Sequence, residues 1–417
     1  MIKEISAKNI EASIRKLVSF GTRNTLSEQD NPTRGVGAAR DWIFSEFQKI
    51  SAECGNCLSV EKQSFLQPKA NRIPEPTTLT NVVATLKGTT NPERVYVVSG
   101  HYDSMCSSAT DAKCDAPGAN DDASGTSVVI EIARVMSKRK YDATIVFMTV
   151  PGEEQGLLGA AYFAQQAVEK KMDIEGMFTN DIVGGVTTQK SSPNRNRVRV
   201  FSEGVPSNET EQQAGTRRSV GGENDSSSRQ LARYVKEQSD RYLKNFKVWM
   251  IYRRDRYGRG GDHIPFVERG FTAIRVTEVD EDYTHQHQNV RTENGIFYGD
   301  TPEFVDFEYT ANVARVNMIA FASLASAPAR PKNVGIVTGR LTNDTELKWD
   351  ANADADIAGY EVVWRDTTAA EWTDSAFVGN ATTFLAKARS KDNYFFGVRA
   401  VDKSGNKSPV VYPRPMR

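Results

Sequence analysis

The sequence lacks the features that would point to a membrane protein or a nucleic-acid-binding protein. No stretch approaches the ~20 consecutive apolar residues that a membrane-spanning helix needs. The 53 lysine and arginine residues balance 53 aspartate and glutamate residues, so the formal net charge is zero at pH 7. A balanced charge gives no electrostatic attraction to nucleic acid or to an anionic membrane surface. We therefore expect neither a membrane span nor a nucleic acid partner.

Cysteines are also scarce. The chain has four, in two local pairs, Cys54 with Cys57 and Cys106 with Cys114. Only one pair has the Cys-x-x-Cys spacing, whereas a zinc ribbon needs two, so an all-cysteine zinc site is disfavoured. We predict two short-range disulfides, which form in oxidising compartments; the alternative is four unpaired thiols in a cytosolic protein. Because disulfides indicate an oxidising compartment, we expect a secreted or periplasmic protein; no signal peptide is visible at Met1, so we expect it to have been removed.

A chain of 417 residues is long for one domain, and its pattern changes near residue 326. Before that point, apolar runs of strand length alternate with helical spacing, which is typical of a parallel sheet covered by helices. We predict that residues 1–326 form an α/β three-layer sandwich with a twisted, mostly parallel central sheet flanked by helices. Within it, residues 79–86 and 94–99 are predicted to be adjacent strands, and residues 202–224 a polar surface insertion. Further strands are predicted at 143–150, 177–182 and 272–279.

The remaining residues, 327–417, show no helical pattern. A short, proline-containing segment at 325–331 indicates a linker. After it come short alternating runs around Trp349, Tyr360 and 394–401, separated by turn signals at intervals typical of a β-sandwich. Over about 330–413 the sequence resembles a fibronectin type III domain. We therefore expect a C-terminal all-β sandwich that contacts a surface or another protein.

Residues that can bind a metal follow several of the predicted strands. They are His101, Asp121 in a glycine-rich turn, Glu153, Glu154, Asp181, and the pair His285 and His287. Ligands in open α/β sheets gather at the carboxyl ends of strands, so one crevice could collect these side chains. Carboxylates mixed with imidazoles suit zinc better than calcium or copper, and a shared carboxylate is the pattern of a two-metal hydrolase. Taken singly, each motif has an ordinary interpretation, such as the acidic first turn of a helix; their combination indicates a metal site.

The order and spacing of these motifs resemble the co-catalytic zinc exopeptidases, a family that includes secreted bacterial leucyl aminopeptidases, glutamate carboxypeptidase and glutaminyl cyclase. The match covers roughly residues 5–325 and depends on Gly-His-Tyr-Asp-Ser at 100–104, Ala-Pro-Gly-Ala-Asn-Asp-Asp-Ala-Ser-Gly at 116–125, and Glu-Glu at 153–154. The resemblance implies two Zn²⁺ ions, with these metal ligands: His101 and Asp181 on the first zinc, Asp121 as the bridge, Glu154 on the second zinc, and His287 as the last ligand.

The same resemblance implies roles for residues that do not bind metal. Asp103 would orient the imidazole of His101, as bound histidines usually require, and Glu153 would be the general base. The peptide bond between Asp121 and Asp122 is expected to be cis. The predicted substrate-binding residues are Tyr257, which would help to hold the oxyanion, together with Asp262 and His263.

The last metal ligand is open to alternatives. His287 fits the family's His-x-x-x-Asp-Thr motif, except that Arg291 replaces the aspartate. His285 lies two residues away and could substitute. His263, within Asp262-His263-Ile264-Pro265-Phe266, fits a different family motif that lines the pocket without binding metal. We rank His287 first, His285 second and His263 third.

Two charged runs each have two interpretations. The arginine-rich run 253–259 could contact a substrate carboxylate, or it could pair with the acidic residues Glu278, Asp280, Glu281 and Asp282. Those acidic residues could attract a substrate ammonium group, or they could form a solvated loop, which is the interpretation we favour.

The predicted activity is that of a metallo-aminopeptidase acting on peptides with a free N-terminus. In the mechanism that the resemblance implies, one zinc polarises the scissile carbonyl, a metal-bridging hydroxide attacks, and Glu153 delivers the proton to the leaving amine. A glutaminyl cyclase or a carboxypeptidase on the same fold is one alternative, although cyclases use one zinc and this chain keeps five ligand positions. A non-catalytic adhesion or carbohydrate-binding protein is another, and the intact Glu153 and Glu154 argue against it.

Overall fold

A computed structural model describes residues 1–185 and 192–417. Its helices are α1 Ala7–Val18, α2 Val36–Glu53, α3 Ala123–Met136, α4 Leu158–Glu169, α5 Glu211–Val220, α6 Ser227–Tyr242, α7 Ile264–Val267 and α8 Phe307–Ala325. Its strands are β1 Leu58–Gln67, β2 Thr77–Leu86, β3 Asn91–His101, β4 Ala143–Val150, β5 Asp173–Asn180, β6 Arg197–Phe201, β7 Lys247–Ile251, β8 Ala273–Thr277, β9 Arg291–Glu293, β10 Ile296–Tyr298, β11 Gly335–Val337, β12 Thr345–Lys348, β13 Ile357–Asp366, β14 Asp374–Phe377, β15 Thr383–Ala386, β16 Tyr394–Asp402 and β17 Arg414–Met416. None of the described helices combines the length and apolarity that crossing a bilayer requires.

The first eight strands form one mixed sheet in the order β1-β2-β4-β3-β5-β8-β6-β7. Its centre, β4-β3-β5-β8, is parallel, while β1 and β2 at one edge and β6 beside β8 pair antiparallel. The prediction that residues 79–86 and 94–99 are adjacent strands is wrong, because β4 lies between β2 and β3 and pairs with both. The parallel centre brings the carboxyl ends of four strands to one edge of the sheet.

Alternating side chains of the central strands face two different helical layers. On β3, Tyr96 and Val98 belong to the core shared with α1, α2, α3, α6 and α8, whereas Val95 and Val97 belong to the core shared with α4 and α7. All four side chains are buried, because a parallel strand in the middle of a sheet is covered on both faces. This arrangement is the predicted α/β architecture with helices on both faces of a large sheet.

Glycine allows α3 to approach the strand ends closely. A side-chain carbon on Gly125 would lie 2.1 Å from the main-chain oxygen of Asn180, the last residue of β5. One on Gly100 would lie 2.5 Å from the main-chain carbon of Gly125. Only residues without a Cβ fit here, so the start of α3 packs directly against the ends of β3 and β5.

Residues 335–416 form two further sheets, with strand orders β15-β12-β11-β17 and β14-β13-β16. Trp349, Tyr360 and Phe396 lie in a separate apolar core between them. The polar segment 202–224 contains α5, and the hydroxyl of Tyr412 donates a hydrogen bond to the main-chain oxygen of Val220 at 3.3 Å. The insertion therefore contacts the C-terminal sheets.

Both predicted disulfides are present. Cys54–Cys57 follows α2, and Cys106–Cys114 closes the loop between β3 and α3. The second disulfide lies in the segment that connects His101 to Asp121, so it restricts the path of the chain between two of the predicted metal ligands.

Candidate metal centre

The predicted metal ligands lie at the carboxyl edge of the central sheet. His101 is the last residue of β3, Glu153 and Glu154 lie in the turn after β4, and Asp181 immediately follows β5. His287 lies in the loop after β8. Because β4, β3, β5 and β8 are neighbours in the sheet, residues far apart in sequence are brought together here.

Asp122 fixes the local backbone around the bridging candidate Asp121. Its carboxylate caps α3 by accepting the N–H of Gly125 at 2.8 Å, and it also accepts the N–H groups of His101 at 3.0 Å and Ile182 at 3.4 Å. The peptide bond between Asp121 and Asp122 is cis, as the resemblance implies. One side chain thus joins the end of β3, the segment after β5 and the start of α3.

Asp121 is shared by two clusters of potential ligand atoms. On one side, His101 Nε2 lies 3.1 Å from Asp121 Oδ1 and 3.7 Å from Asp181 Oδ1. On the other side, His287 Nε2 lies 2.9 Å from Asp121 Oδ2 and 3.1 Å from Glu154 Oε1. Each cluster contains one imidazole and two carboxylates within 4.8 Å of one another. The two oxygens of Asp121 therefore face two different sets of ligands.

Asp103 supports both the imidazole and the turn after β4. Its Oδ1 lies 3.3 Å from His101 Nδ1, which leaves Nε2 directed toward Asp121. Its Oδ2 accepts hydrogen bonds from the hydroxyl of Thr25 at 3.0 Å and from the N–H of Glu154 at 3.3 Å. This buried carboxylate thus positions ligands on two strands, and a polar partner of this kind is what metal-bound histidines need.

Residues that contact the cluster but were not predicted from the sequence include Arg275, Gln286 and Asp300. Arg275, inside β8, binds Asp181 Oδ2 through Nη2 at 2.9 Å. Gln286 donates to Asp121 Oδ2 at 2.9 Å, and the carboxylate of Asp300 accepts the N–H of Asp121 at 2.8 Å. Arg275 could have been noticed as a cation within an apolar strand, and Gln286 as the residue between the two candidate histidines. Nothing in the sequence around Asp300 indicates its contact with Asp121.

The centre holds more buried acid than base. Burial, with Asp181 and Glu154 nearby, raises the pKa of Glu153 well above its usual value, although His101 acts against this. Burial would raise the pKa of Asp121 too, but His287 and His101 outweigh it and hold that pKa well below its usual value. Burial would lower the pKa of His287, but Glu154 and Asp121 raise it to about 11. The raised pKa values of Glu153 and His287 both favour the protonated form, so positive charge stabilises this cluster of carboxylates.

The donor set fits divalent metal ions. His101 Nε2 is buried without a hydrogen bond of acceptable geometry among the described residues, although carboxylate oxygens surround it. An imidazole nitrogen in that position is suited to donate its lone pair to a cation. Imidazole together with carboxylate oxygen is a typical ligand set for catalytic zinc. His101, Asp121 and Asp181 could hold one ion, and Asp121, Glu154 and His287 a second.

The other two histidines have different surroundings. His285 stacks on the ring of Phe304, with centroids 3.6 Å apart, and its Nδ1 lies 2.9 Å from Asp282. His263 is buried, and its Nε2 lies 2.7 Å from the main-chain oxygen of Arg254. Among the described groups of potential ligand atoms, neither histidine joins Asp121.

A cleft of about 740 Å³ opens beside the cluster and is lined by Glu153, Glu154 and His287. Asp262 is completely buried, and neither of its carboxylate oxygens has a hydrogen-bond partner among the described residues. Burial raises the pKa of Asp262 to about 7. Tyr257 is 87% exposed, beside Arg253, and is not among the described residues that line the cleft.

The acidic run is not a solvated loop, which corrects the favoured interpretation. Glu278 is buried and accepts hydrogen bonds from the side chain of Asn120 at 3.0 Å and the N–H of Gly185 at 2.6 Å. The carboxylate of Glu281 has 3% exposure and binds Arg259 at 2.8 Å, and it also binds Arg199 and Arg256. The arginine-rich run therefore pairs with the acidic run, as one of the two alternatives stated.

Comparison with known proteins gives matches along the whole chain. A model of peptidase family M28 matches residues 81–295. A probable zinc metalloprotease of Leptosphaeria maculans is 50% identical over 418 residues, which covers 100% of this chain and 96% of that protein.

Solved structures share the fold of the α/β part. The LapA aminopeptidase of Legionella pneumophila aligns with a TM-score of 0.55 at 19% identity, over 79% of this chain and 73% of that one. A zinc aminopeptidase from Bacillus subtilis aligns with a TM-score of 0.53 at 15% identity, over 76% of this chain and 94% of that one. The family match spans about half of the sequence and the Leptosphaeria protein is similar over 96% of its length, so the chain belongs to peptidase family M28.

Proposed function

We propose that this protein is a zinc-dependent aminopeptidase that holds two zinc ions. The observation that carries the proposal is the position of Asp121, whose two oxygens lie 3.1 Å and 2.9 Å from the Nε2 atoms of His101 and His287. Asp181 adds a carboxylate on one side, and Glu154 adds one on the other. A shared carboxylate with an imidazole and an acid on each side suits a pair of metal ions that work together on one scissile bond.

The residues around the centre then have distinct tasks. When bound, the zinc ions supply a Lewis acid for the scissile carbonyl and make a water molecule nucleophilic near neutral pH. Glu153 lines the cleft in the same cluster as His101 and Glu154, so it can take a proton from the attacking water and pass it to the leaving amine.

The substrates we propose are peptides with a free N-terminal amine. The buried acids of the centre attract an ammonium group, and Asp262 adds to this attraction through two carboxylate oxygens that have no partner among the described residues. The two disulfides favour a secreted or periplasmic location, because such bonds persist in oxidising compartments. For the C-terminal sheets, we keep the interpretation of a fibronectin type III-like domain that contacts a surface or another protein.

Hydrolysis of leucine p-nitroanilide tests the proposal. We expect activity that a chelator removes and zinc restores, about two zinc ions per chain, and no cleavage of the N-acetylated substrate. Full activity in the chelated protein, or equal cleavage of the acetylated substrate, would overturn the assignment. Cyclisation of an N-terminal glutamine, or release of a C-terminal residue, would instead favour a glutaminyl cyclase or a carboxypeptidase.

Variants of the adjacent glutamates separate catalysis from metal binding. Glu153→Gln should lower kcat by about 10²–10⁴-fold while both zinc ions stay bound, because general base catalysis typically contributes that factor. Glu154→Gln should instead lower the zinc content. Glu75→Gln, at an exposed position outside the cleft, serves as the matched control and should change neither quantity. Unchanged kcat in Glu153→Gln would refute its role as the base.

A further inference from the structure

Arg72 occupies a fixed position at the mouth of the cleft. It lies in a tight turn between β1 and β2, in which Ala70 and Ile73 exchange two main-chain hydrogen bonds of 2.8 Å and 3.1 Å. The side chain of Ile73 is completely buried and anchors the turn to the protein. The backbone that carries Arg72 is therefore held from both sides of the turn.

The side chain of Arg72 reaches the catalytic turn. Its Nη1 donates a hydrogen bond of 2.7 Å to the main-chain oxygen of Glu154, and the residue lines the same cleft as Glu153 and His287. This contact uses only one of the five N–H donors of a guanidinium. Within residues 1–185 and 192–417, the Arg72 guanidinium makes no other hydrogen bond, so its remaining donors can bind a ligand.

Arg72 differs from the other arginines that line the cleft because it has no carboxylate partner among the described residues. Arg256 and Arg259 are both bound to Glu281, at 3.0 Å and 2.8 Å. In the described parts of the chain, 1–185 and 192–417, no carboxylate forms an ion pair with Arg72, whereas its neighbour Lys69 lies 4.0 Å from Glu75. Arg72 is thus a cation beside the catalytic residues that forms no ion pair with a carboxylate of the described chain.

We propose that Arg72 determines specificity by binding a carboxylate on the residue that leaves after cleavage. This inference rests on the proposed aminopeptidase function. Glu153 must reach the leaving amine, and Arg72 binds the residue next to Glu153 in the chain, so the leaving residue passes close to Arg72. The N-terminal ammonium would be repelled by Arg72 and attracted by the buried acids, which sets the direction of the peptide. A planar guanidinium binds a carboxylate through two parallel hydrogen bonds.

That carboxylate has two possible sources, the C-terminus of a dipeptide or an acidic side chain in the second position. The probes are Leu-Gly, its amide Leu-Gly-NH₂, and Leu-Glu-NH₂, which separate the two sources from a neutral reference. For each protein, the measured quantity is the kcat/KM of a carboxylate substrate divided by that of Leu-Gly-NH₂.

We expect Arg72→Met to lower this ratio about tenfold to a hundredfold, since hydrogen bonds to a charged group contribute that much to binding. The change should appear mainly in KM, and Arg72→Lys should restore part of it because the charge is kept. Lys69→Met, an exposed cation of the same loop that does not line the cleft, is the matched control and should leave the ratio unchanged. A ratio that falls for Leu-Gly alone identifies the C-terminal carboxylate, and one that falls for Leu-Glu-NH₂ alone identifies the side chain.

The inference is overturned if Arg72→Met lowers kcat/KM for charged and neutral substrates by the same factor, because Arg72 would then only support the fold of the turn. Failure of the proposed function itself has a different signature. In that case, the wild-type protein would not hydrolyse leucine p-nitroanilide, which carries no carboxylate, with or without zinc.

Discussion

The carboxylate of Asp225 joins the α/β part of the chain to the C-terminal sheets. Its side chain has 0% exposure and accepts hydrogen bonds from Arg233 at 2.7 Å and Gln230 at 2.9 Å, both on α6. It also binds Arg365 of β13 at 2.7 Å and 3.0 Å, and the side chain of Arg365 is 3% exposed. We predict that Arg365→Met destabilises the whole protein, because it removes a buried cation from this contact. Methionine is chosen because it retains much of the apolar volume of the arginine side chain.

The expected loss in the free energy of unfolding follows from the burial of Asp225, Arg233 and Arg365. Removing one partner of a buried ion pair costs about 3–5 kcal/mol, because the other charge is left without compensation. Asp225 keeps Arg233 in the variant, so we expect the lower end, about 3 kcal/mol. Asp225→Asn, which leaves two buried guanidinium groups facing a neutral amide, should cost at least as much. Because both substitutions break the same contact, the double variant should lose about 1–3 kcal/mol less than the sum of the single losses.

Urea unfolding measures these losses. Tryptophan fluorescence reports on both parts of the chain, since Trp249 lies in β7 and Trp364 in β13. We expect one transition by fluorescence and by circular dichroism, shifted to lower urea in Arg365→Met. Lys348→Met breaks an exposed pair with Glu346 on β12 and should cost less than about 1 kcal/mol. Losses that add within about 0.5 kcal/mol, or separate transitions for the two parts, would refute the reasoning and favour an independent C-terminal module.

Two further predictions use the same unfolding assay. Burial lowers the pKa of His263 from 6.5 to about 4, so the unfolded chain binds a proton at higher pH than the folded protein does. The contribution of His263 to the free energy of unfolding is therefore complete above pH 6.5 and decreases toward pH 4 by on the order of 3 kcal/mol. The loss of stability between pH 7 and pH 4 should therefore be smaller in His263→Gln, and an equal loss would contradict this origin. Replacing Cys106 and Cys114 by serine should cost about 2–3 kcal/mol, more than replacing Cys54 and Cys57, because the closed loop is longer at a sequence separation of 8 against 3. A larger loss from the shorter loop would show that chain entropy is not the cause.

The fold could be predicted where burial leaves a pattern in one strand. β3, β4, β5 and β8 are apolar runs because helices cover both faces of the central sheet, and all of these strands were predicted. β1 was missed because it lies at the edge of the sheet, where half of its side chains reach solvent and the run reads Leu-Ser-Val-Glu-Lys-Gln-Ser-Phe-Leu-Gln. The insertion of β4 between β2 and β3 leaves no local signal, because strand pairing depends on contacts between distant segments.

The candidate metal centre likewise has residues that could be predicted from the sequence and residues that could not. The side chains with chemistry suited to metal binding could be predicted, because each follows a recognisable strand or turn. The residues that hold them could not, because their partners are remote in sequence: Asp300 binds the N–H of Asp121 across 179 residues, and Gln286 binds its carboxylate across 165. The sequence around Asp300 or Gln286 contains no motif that indicates a contact with Asp121. The geometry of Asp121 therefore depends on segments that its own motif does not include, so substitutions at Asp300 or Gln286 should alter the metal centre even though every motif remains intact.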